Sequence, residues 1–170
     1  GFKSTLTYGS GDAVQKLKLT YGGKTLAAGK DYNLSYTGNS GVGTARLTVK
    51  GSALSANATF RGSFTRTFKI RPKGTKLTKL AAGSGTPAAS FTATWKAQKV
   101  ETSGYQLRWS TKKNMKKATK RKLAKNTFAS FTLNGAKAGK RYFVQIRTYK
   151  KVGKKTYWST WSKKKSVVAK

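Results

Sequence analysis

The chain has 170 residues, of which 37 are Lys or Arg and three are Asp or Glu, and it contains neither His nor Cys. That inventory argues against an enzyme, a metal centre or a bound cofactor. Acid–base, nucleophilic and metal chemistry draw mostly on His, Cys and carboxylates, and the only carboxylates are Asp12, Asp31 and Glu101. A formal charge of +34 implies an acidic partner or an acidic surface. Apolar residues reach 36% and aromatics 12%, which is too rich for a disordered polybasic tail. No apolar run approaches the ~18 residues of a membrane span, so no membrane insertion is expected, and no secretory signal is visible. The chain opens at Gly1 without Met, which reads as a monomeric fragment of a larger protein.

Short apolar–polar alternations separated by Gly, Asn and Ser clusters recur along the chain. This is the pattern of an all-β fold of sandwich type rather than of helices. The alternation predicts strands over residues 14–20, 31–36, 44–49 and 64–70, then over 91–95, 105–109, 128–133, 142–149 and 156–161. Turns are expected at Tyr21-Gly22-Gly23, at Thr37-Gly38-Asn39-Ser40-Gly41, at Asn134-Gly135 and at Val152-Gly153. The domain boundary is placed at Arg71-Pro72-Lys73-Gly74, because Pro72 cannot donate a ladder hydrogen bond and stops the strand before it. Residues 1–72 carry 11 Lys/Arg against two Asp, and residues 73–170 carry 26 against Glu101 alone. Two tandem β-sandwich domains, 1–72 and 73–170, are therefore expected, the second about twice as charge-dense as the first.

The stretch from Tyr21 to Tyr36, with Leu26, Gly29, Asp31, Tyr32 and Tyr36 in the pattern L-x-x-G-x-D-Y-x-x-x-Y, resembles bacterial surface Ig-like repeats. The resemblance continues through Gly43-Thr-Ala-Arg-Leu-Thr-Val-Lys-Gly51 and ends at Arg61-Gly-Ser-Phe-Thr-Arg-Thr-Phe-Lys-Ile70. It departs at residues 52–60, where the family carries a Gly/Asn-Tyr turn. Asp31 is the one acid in a motif position. The resemblance raises an intramolecular Lys–Asp isopeptide bond; the plainer expectation is a turn carboxylate accepting backbone N–H groups.

In the second half, Phe91, Ala93 and Trp95 share one parity of a strand, as do Tyr105, Leu107 and Trp109, then Ala129, Phe131 and Leu133, then Tyr142, Val144 and Ile146. Leu133-Asn-Gly-Ala-Lys-Ala-Gly-Lys-Arg-Tyr142 resembles the "L-x-P-G-x-x-Y" corner of fibronectin type III domains, whose Tyr hydroxyl bonds back to the chain entering strand F. Ala138 stands where that family usually has Pro. The resemblance spans residues 75–168 and is strongest to Lys-rich type III repeats of secreted and cell-wall proteins of Gram-positive bacteria. It implies an extracellular or cell-wall location.

Trp158-Ser-Thr-Trp-Ser162 matches the W-S-x-W-S motif of cytokine receptors, where Trp rings interleave with Arg of strand F. Here Arg141, Phe143, Gln145 and Arg147 share the outward parity of strand F and Arg108 is outward on strand C, so by that resemblance Trp158 and Trp161 would stack with Arg141 and Arg147, with Arg108 beside them. The densest charge is the run of residues 112–125, with Lys112, Lys113, Lys116, Lys117, Lys120, Arg121, Lys122 and Lys125. In a type III fold this run becomes the C–C′ loop and strand C′, with Met115 at the edge of the core. Lys150, Lys151, Lys154 and Lys155 flank the F–G turn, and Lys163-Lys164-Lys165 ends strand G. C′, C, F and G form one sheet, so these cations are expected on one face and its rims.

The leading functional expectation is a non-catalytic extracellular binding and adhesion module. It would attach a larger protein to an anionic polymer: teichoic acid, a glycosaminoglycan or other sulfated glycan, or nucleic acid. The alternatives are recognition of a host protein, or receptor mimicry, through the Trp158–Trp161 face, and a dedicated non-specific nucleic-acid binder. No zinc-finger, helix-turn-helix or RNA-recognition signature supports sequence-specific reading.

Overall fold

The structure is a computed structural model and describes residues 1–52, 61–84 and 88–170. It is all-β, with fourteen strands and no helix among the described residues. The chain divides into two compact units, Gly1–Arg71 and Pro72–Lys170.

The first unit holds β1 (Thr5–Thr7), β2 (Leu19–Tyr21), β3 (Lys24–Leu26), β4 (Tyr32–Thr37), β5 (Gly43–Gly51) and β6 (Ser63–Arg71). Four of them form a sheet in the order β1-β6-β5-β4, and β2 and β3 make a separate hairpin. Ala45, Leu47 and Val49 of β5 alternate with polar residues and are buried against Tyr32, Phe68 and Ile70. One expectation fails here: residues 14–20 are not a strand, and only Leu19–Tyr21 enters a ladder. The alternation survives with Ala13, Gln15, Leu17 and Leu19 inward, but one of the four is polar. Gln15 is buried while Val14 is 56% exposed. The Gln15 side chain bonds the N–H and C=O of Lys3 at 2.9 and 2.8 Å, and its own N–H reaches the Tyr36 hydroxyl at 3.0 Å. Side-chain partners replace the missing neighbour strand. Asp31 accepts the Ala27 N–H at 2.7 Å, the geometry of a turn carboxylate. Beyond Ser52, the loop where the sequence departs from the Ig-like pattern lies outside the described residues.

The second unit holds β7 (Leu77–Ala82), β8 (Ser90–Trp95), β9 (Gly104–Ser110), β10 (Thr119–Leu123), β11 (Ser130–Asn134), β12 (Arg141–Val152), β13 (Lys155–Trp158) and β14 (Lys165–Val168). One sheet runs β11-β8-β7. The other runs β10-β9-β12-β13, with β14 pairing the beginning of β12. Phe91, Ala93 and Trp95 from the first sheet meet Tyr105, Leu107, Tyr142, Val144 and Ile146 from the second. Aromatic pairs cross between the sheets: Phe91 with Tyr142 at 5.4 Å, Trp95 with Tyr105 at 5.3 Å and Trp109 with Phe131 at 5.6 Å. Each adds about 0.5–1.5 kcal/mol beyond its buried area. The Tyr142 hydroxyl accepts the Lys137 N–H at 3.0 Å and closes the corner before β12. Gly153, at φ 55°, supplies the left-handed residue in the two-residue turn between Val152 and Lys155.

Residues 112–125 form no helix: a turned loop leads into β10. Met115 sits half-buried at a left-handed φ of 61° and is not among the residues packed on the core, contrary to the expected plug. The predicted last strand is also broken. β13 stops at Trp158 and pairing resumes only at Lys165.

Gly104 of β9 lies between β10 and β12 with no room for a side chain. A Cβ there would run into the carbonyl oxygen of Leu123 on β10 and come within 3.0 Å of the Tyr149 ring on β12. Gly104→Ala should therefore destabilise the protein by about 2 kcal/mol or more, read as a lowered urea midpoint at unchanged slope.

Candidate functional site

The outward parity of the second sheet is set by its registers. Gln106 and Arg108 of β9 lie opposite Arg147 and Gln145 of β12, and Lys122 and Lys120 of β10 lie opposite Gln106 and Arg108. Two guanidiniums therefore share the face with two neutral amides. The Gln106 Oε1 accepts from Arg147 Nε and Nη2 at 3.0 and 2.6 Å, and the Gln145 Oε1 accepts from Arg108 Nε and Nη2 at the same two distances.

Trp158 and Trp161 complete the face because the chain abandons strand geometry between them. In a strand, residues three apart point to opposite sides. Here Ser159 N–H bonds Thr148 O, Ser162 N–H bonds Ile146 O, and Lys165 pairs with Val144. Three residues of the last segment thus span two of β12, the threefold spacing of an extended polyproline-type chain, and Trp158 and Trp161 come to one side. The two Ser side chains hold the segment down. Ser159 Oγ accepts the Thr148 N–H at 3.0 Å, and Ser162 Oγ accepts the Ile146 N–H at 3.1 Å.

The result is an alternating stack. The Arg147 guanidinium carbon lies 4.0 Å from the Trp158 ring centre and 4.4 Å from that of Trp161, and Arg108 lies 4.2 Å from Trp161. Tyr149 packs on Trp158 at 5.2 Å, and the Lys122 Nζ sits 4.3 Å over Tyr149 and 5.8 Å over Trp158. Burial lowers the pKa of Arg147, with the charge of Arg108 adding to the effect, and burial alone lowers that of Arg108. Both remain cations, since arginine does not deprotonate in proteins. Burial raises the Tyr149 phenol. It also raises that of Tyr105, against hydrogen bonds that pull it down.

This arrangement corrects the expected partners. Arg141 is not in the stack. It lies opposite Val168 at the start of β12 and reaches Ser166 Oγ at 3.4 Å, about 17 Å along the strand from the residue that pairs Ser162. Arg108, coming from the neighbouring strand, takes its place. Strand parity already places Gln145 outward beside Arg147, whereas Gln106 was missed, and the pairing of each amide with an arginine appears only once β9 and β12 are in register.

A fibronectin type III domain model matches residues 76–165. The chain belongs to that family. Type III domains are typically non-catalytic binding or scaffolding modules and are common in extracellular proteins. Among solved structures, the FN1–FN3 domains of chicken CNTN1 are similar at 14% identity and a TM-score of 0.50, over 75% of this chain and 43% of that one. At that identity the likeness speaks to fold alone, and the chain spans less than half of that structure. No curated protein matches the sequence. No helix among the described residues is long and apolar enough to cross a membrane.

The remaining predicted cations divide between the two ends of this type III sheet. Lys112, Lys113, Lys116 and Lys117 precede β10 at the Trp109 end, and Lys164 joins them, its Nζ donating to the Lys113 carbonyl at 2.8 Å. Lys125, Lys151, Lys154 and Lys155 are exposed at the Tyr105 end. Lys120 and Arg121 are exposed on the β10 edge between. Lys150 is less available than the sequence implied. It is half-buried and pairs with Glu101 at 3.2 Å. The ends are about 20 Å apart along β9, more than two screening lengths of ~8 Å, so they act as separate clusters with the ladder between.

The stack predicts unequal costs. Arg147→Ala should destabilise by about 1–2 kcal/mol, whereas Arg141→Ala should stay within about 0.5 kcal/mol of wild type. Ser159→Ala strands the buried Thr148 N–H and should cost about 1–3 kcal/mol, while Thr160→Ala, at an exposed position, should cost little. Urea unfolding of the four variants checks the order.

Proposed function

We propose that this chain is an attachment module that holds a larger extracellular or cell-wall protein to an anionic polymer through the basic sheet of its type III domain. The observation that carries the reading is the distribution of charge on that sheet. Lys112, Lys113, Lys116 and Lys117 at one end, Lys120, Arg121 and Lys122 on the edge strand, and Lys125, Lys151, Lys154 and Lys155 at the other end meet a single acid, Glu101, which engages Lys150. A surface evolved only for solubility interleaves both signs. Residues 1–72 are read as the accompanying Ig-like repeat of a Gram-positive surface protein, a spacer whose Lys and Arg are more thinly spread.

Host-protein recognition through Trp158 and Trp161 is the weaker reading. Interface hot spots bury aromatic faces in a partner's pocket, and here those faces are already covered by Arg108 and Arg147.

Binding of the whole chain to DNA or heparin should weaken roughly 10³-fold or more between about 50 and 200 mM salt if six or more anionic groups are neutralised. Changing Lys112, Lys113, Lys116 and Lys117 together to Gln should flatten that slope, and changing Lys16, Lys18, Lys24 and Lys30 should not. Isothermal titration across a salt series measures both. Salt-independent binding, or equal effects of the two quadruple variants, would point to a shaped protein partner instead.

A further inference from the structure

The stacked arginines are held but not neutralised. A guanidinium carries five N–H donors in a planar fork. In both Arg108 and Arg147 the Gln oxygen takes the Nε and Nη2 side of that fork. The end of the fork, made by Nη1 and the second Nη2 hydrogen, meets no acceptor among the described residues. Both residues are only partly buried. Trp161 separates the two guanidiniums, and Lys120 and Lys122 stand beside them on the outward side of β10. Sheet, rings and amides fix the direction of each fork before any ligand arrives, which lowers the ordering cost that a free Lys or Arg pays on binding.

The geometry points to Arg108 and Arg147 as a pair of oriented subsites for successive groups of a phosphodiester backbone, read without its bases. The inference rests on the polyanion reading above and adds the ligand chemistry. A phosphodiester places one negative charge on two non-bridging oxygens, which match the two parallel N–H groups at the end of a guanidinium fork. A sulfate ester spreads its charge over three oxygens and makes a weaker acceptor at each. Bases find no platform, because single-strand binders stack bases on open aromatic faces, and here Trp158 and Trp161 are occupied by the arginines. Gln106 and Gln145 are positioning residues: an amide oxygen orients the fork while leaving its charge available.

The two amides differ in a way that makes the test clean. Gln145 also donates its Nε2 to the Ser162 carbonyl at 2.6 Å, so a carboxylate there would repel that oxygen. Among the described residues Gln106 serves only as an acceptor, so Gln106→Glu keeps the fork bond and cancels its charge. The probes for the full-length chain are an abasic oligonucleotide, an oligothymidylate of equal length and a heparin fragment of matched charge. Gln106→Glu should keep or raise the melting temperature and weaken binding of the abasic oligomer about tenfold, whereas Lys79→Gln, which removes the same net charge from the opposite sheet, should weaken it less than about threefold. Arg108→Lys, which preserves net charge, should also weaken it about tenfold by losing the fork, and this variant decides the matter if Gln106→Glu lowers the melting temperature. Wild type should bind the abasic oligomer as tightly as the oligothymidylate and more tightly than heparin. Equal losses for Gln106→Glu and Lys79→Gln, or a preference for thymine bases or for heparin, would overturn the ladder subsites while leaving polyanion attachment standing. Failure of wild type to bind any of the three would overturn both.

Discussion

A protein with 37 cationic side chains and three carboxylates cannot hold its cations by ion pairing, and the second unit is organised around that shortage. Carboxylates ordinarily fix arginines on a sheet face. Here the work falls to indole rings, amide oxygens and backbone carbonyls. Arg147 lies between two tryptophans and on Gln106; Arg108 lies on Trp161 and Gln145. Lys164 and Lys165 donate to the carbonyls of Lys113 and Thr78. Each of these partners fixes position without cancelling charge. Structure and positive potential are thus obtained from the same residues, which an ion-paired surface does not allow.

The shortage also accounts for the path of the last segment. To bring two indoles to one side of the sheet, the chain leaves strand geometry after Trp158 and regains it at Lys165. Leaving the ladder exposes N–H groups of β12, and unsatisfied buried N–H groups cost about 1–3 kcal/mol each. Ser159 and Ser162 supply hydroxyl acceptors at those positions. Rings at every third position and hydroxyls after each ring form one device, and the face depends on both.

The sandwich of the second unit was legible in the sequence because its signals are local: the parity of Phe91, Ala93 and Trp95, the corner at Tyr142, the glycine turn at Gly153. The ladder was legible only in part. The Trp-Ser spacing announced it, but period-two reasoning placed Trp161 on a continuous strand and, among the outward residues of strand F, admitted Arg141 to the stack. Which arginine stacks depends on register across β9 and β12, a long-range property. The strand expected over residues 14–20 failed for a related reason: alternation shows which side chains turn inward but not whether a neighbour strand is there to pair, and at Gln15 the partners are Lys3 and the Tyr36 hydroxyl. The short strands β1 and β3 carry too few residues for a period to show. The basic run at residues 112–125 was visible as charge, yet its separation into two clusters follows from the antiparallel pairing of β9 and β10.

Functionally, two kinds of cation coexist. The exposed lysines of the loop and the turn between β12 and β13 are mobile point charges, suited to long-range, salt-sensitive capture. The stacked arginines are fixed, and a fixed donor array adds orientation to attraction. Orientation of this kind requires that the stack be formed in the free protein. Hydrogen exchange of the arginine Nε–H groups, followed by NMR in the absence of any polyanion, tests this most directly. The account predicts that the Nε–H groups of Arg108 and Arg147 exchange much more slowly than those of Arg121 and Arg141. Equally fast exchange at all four would show that the face is not preorganised and would contradict it.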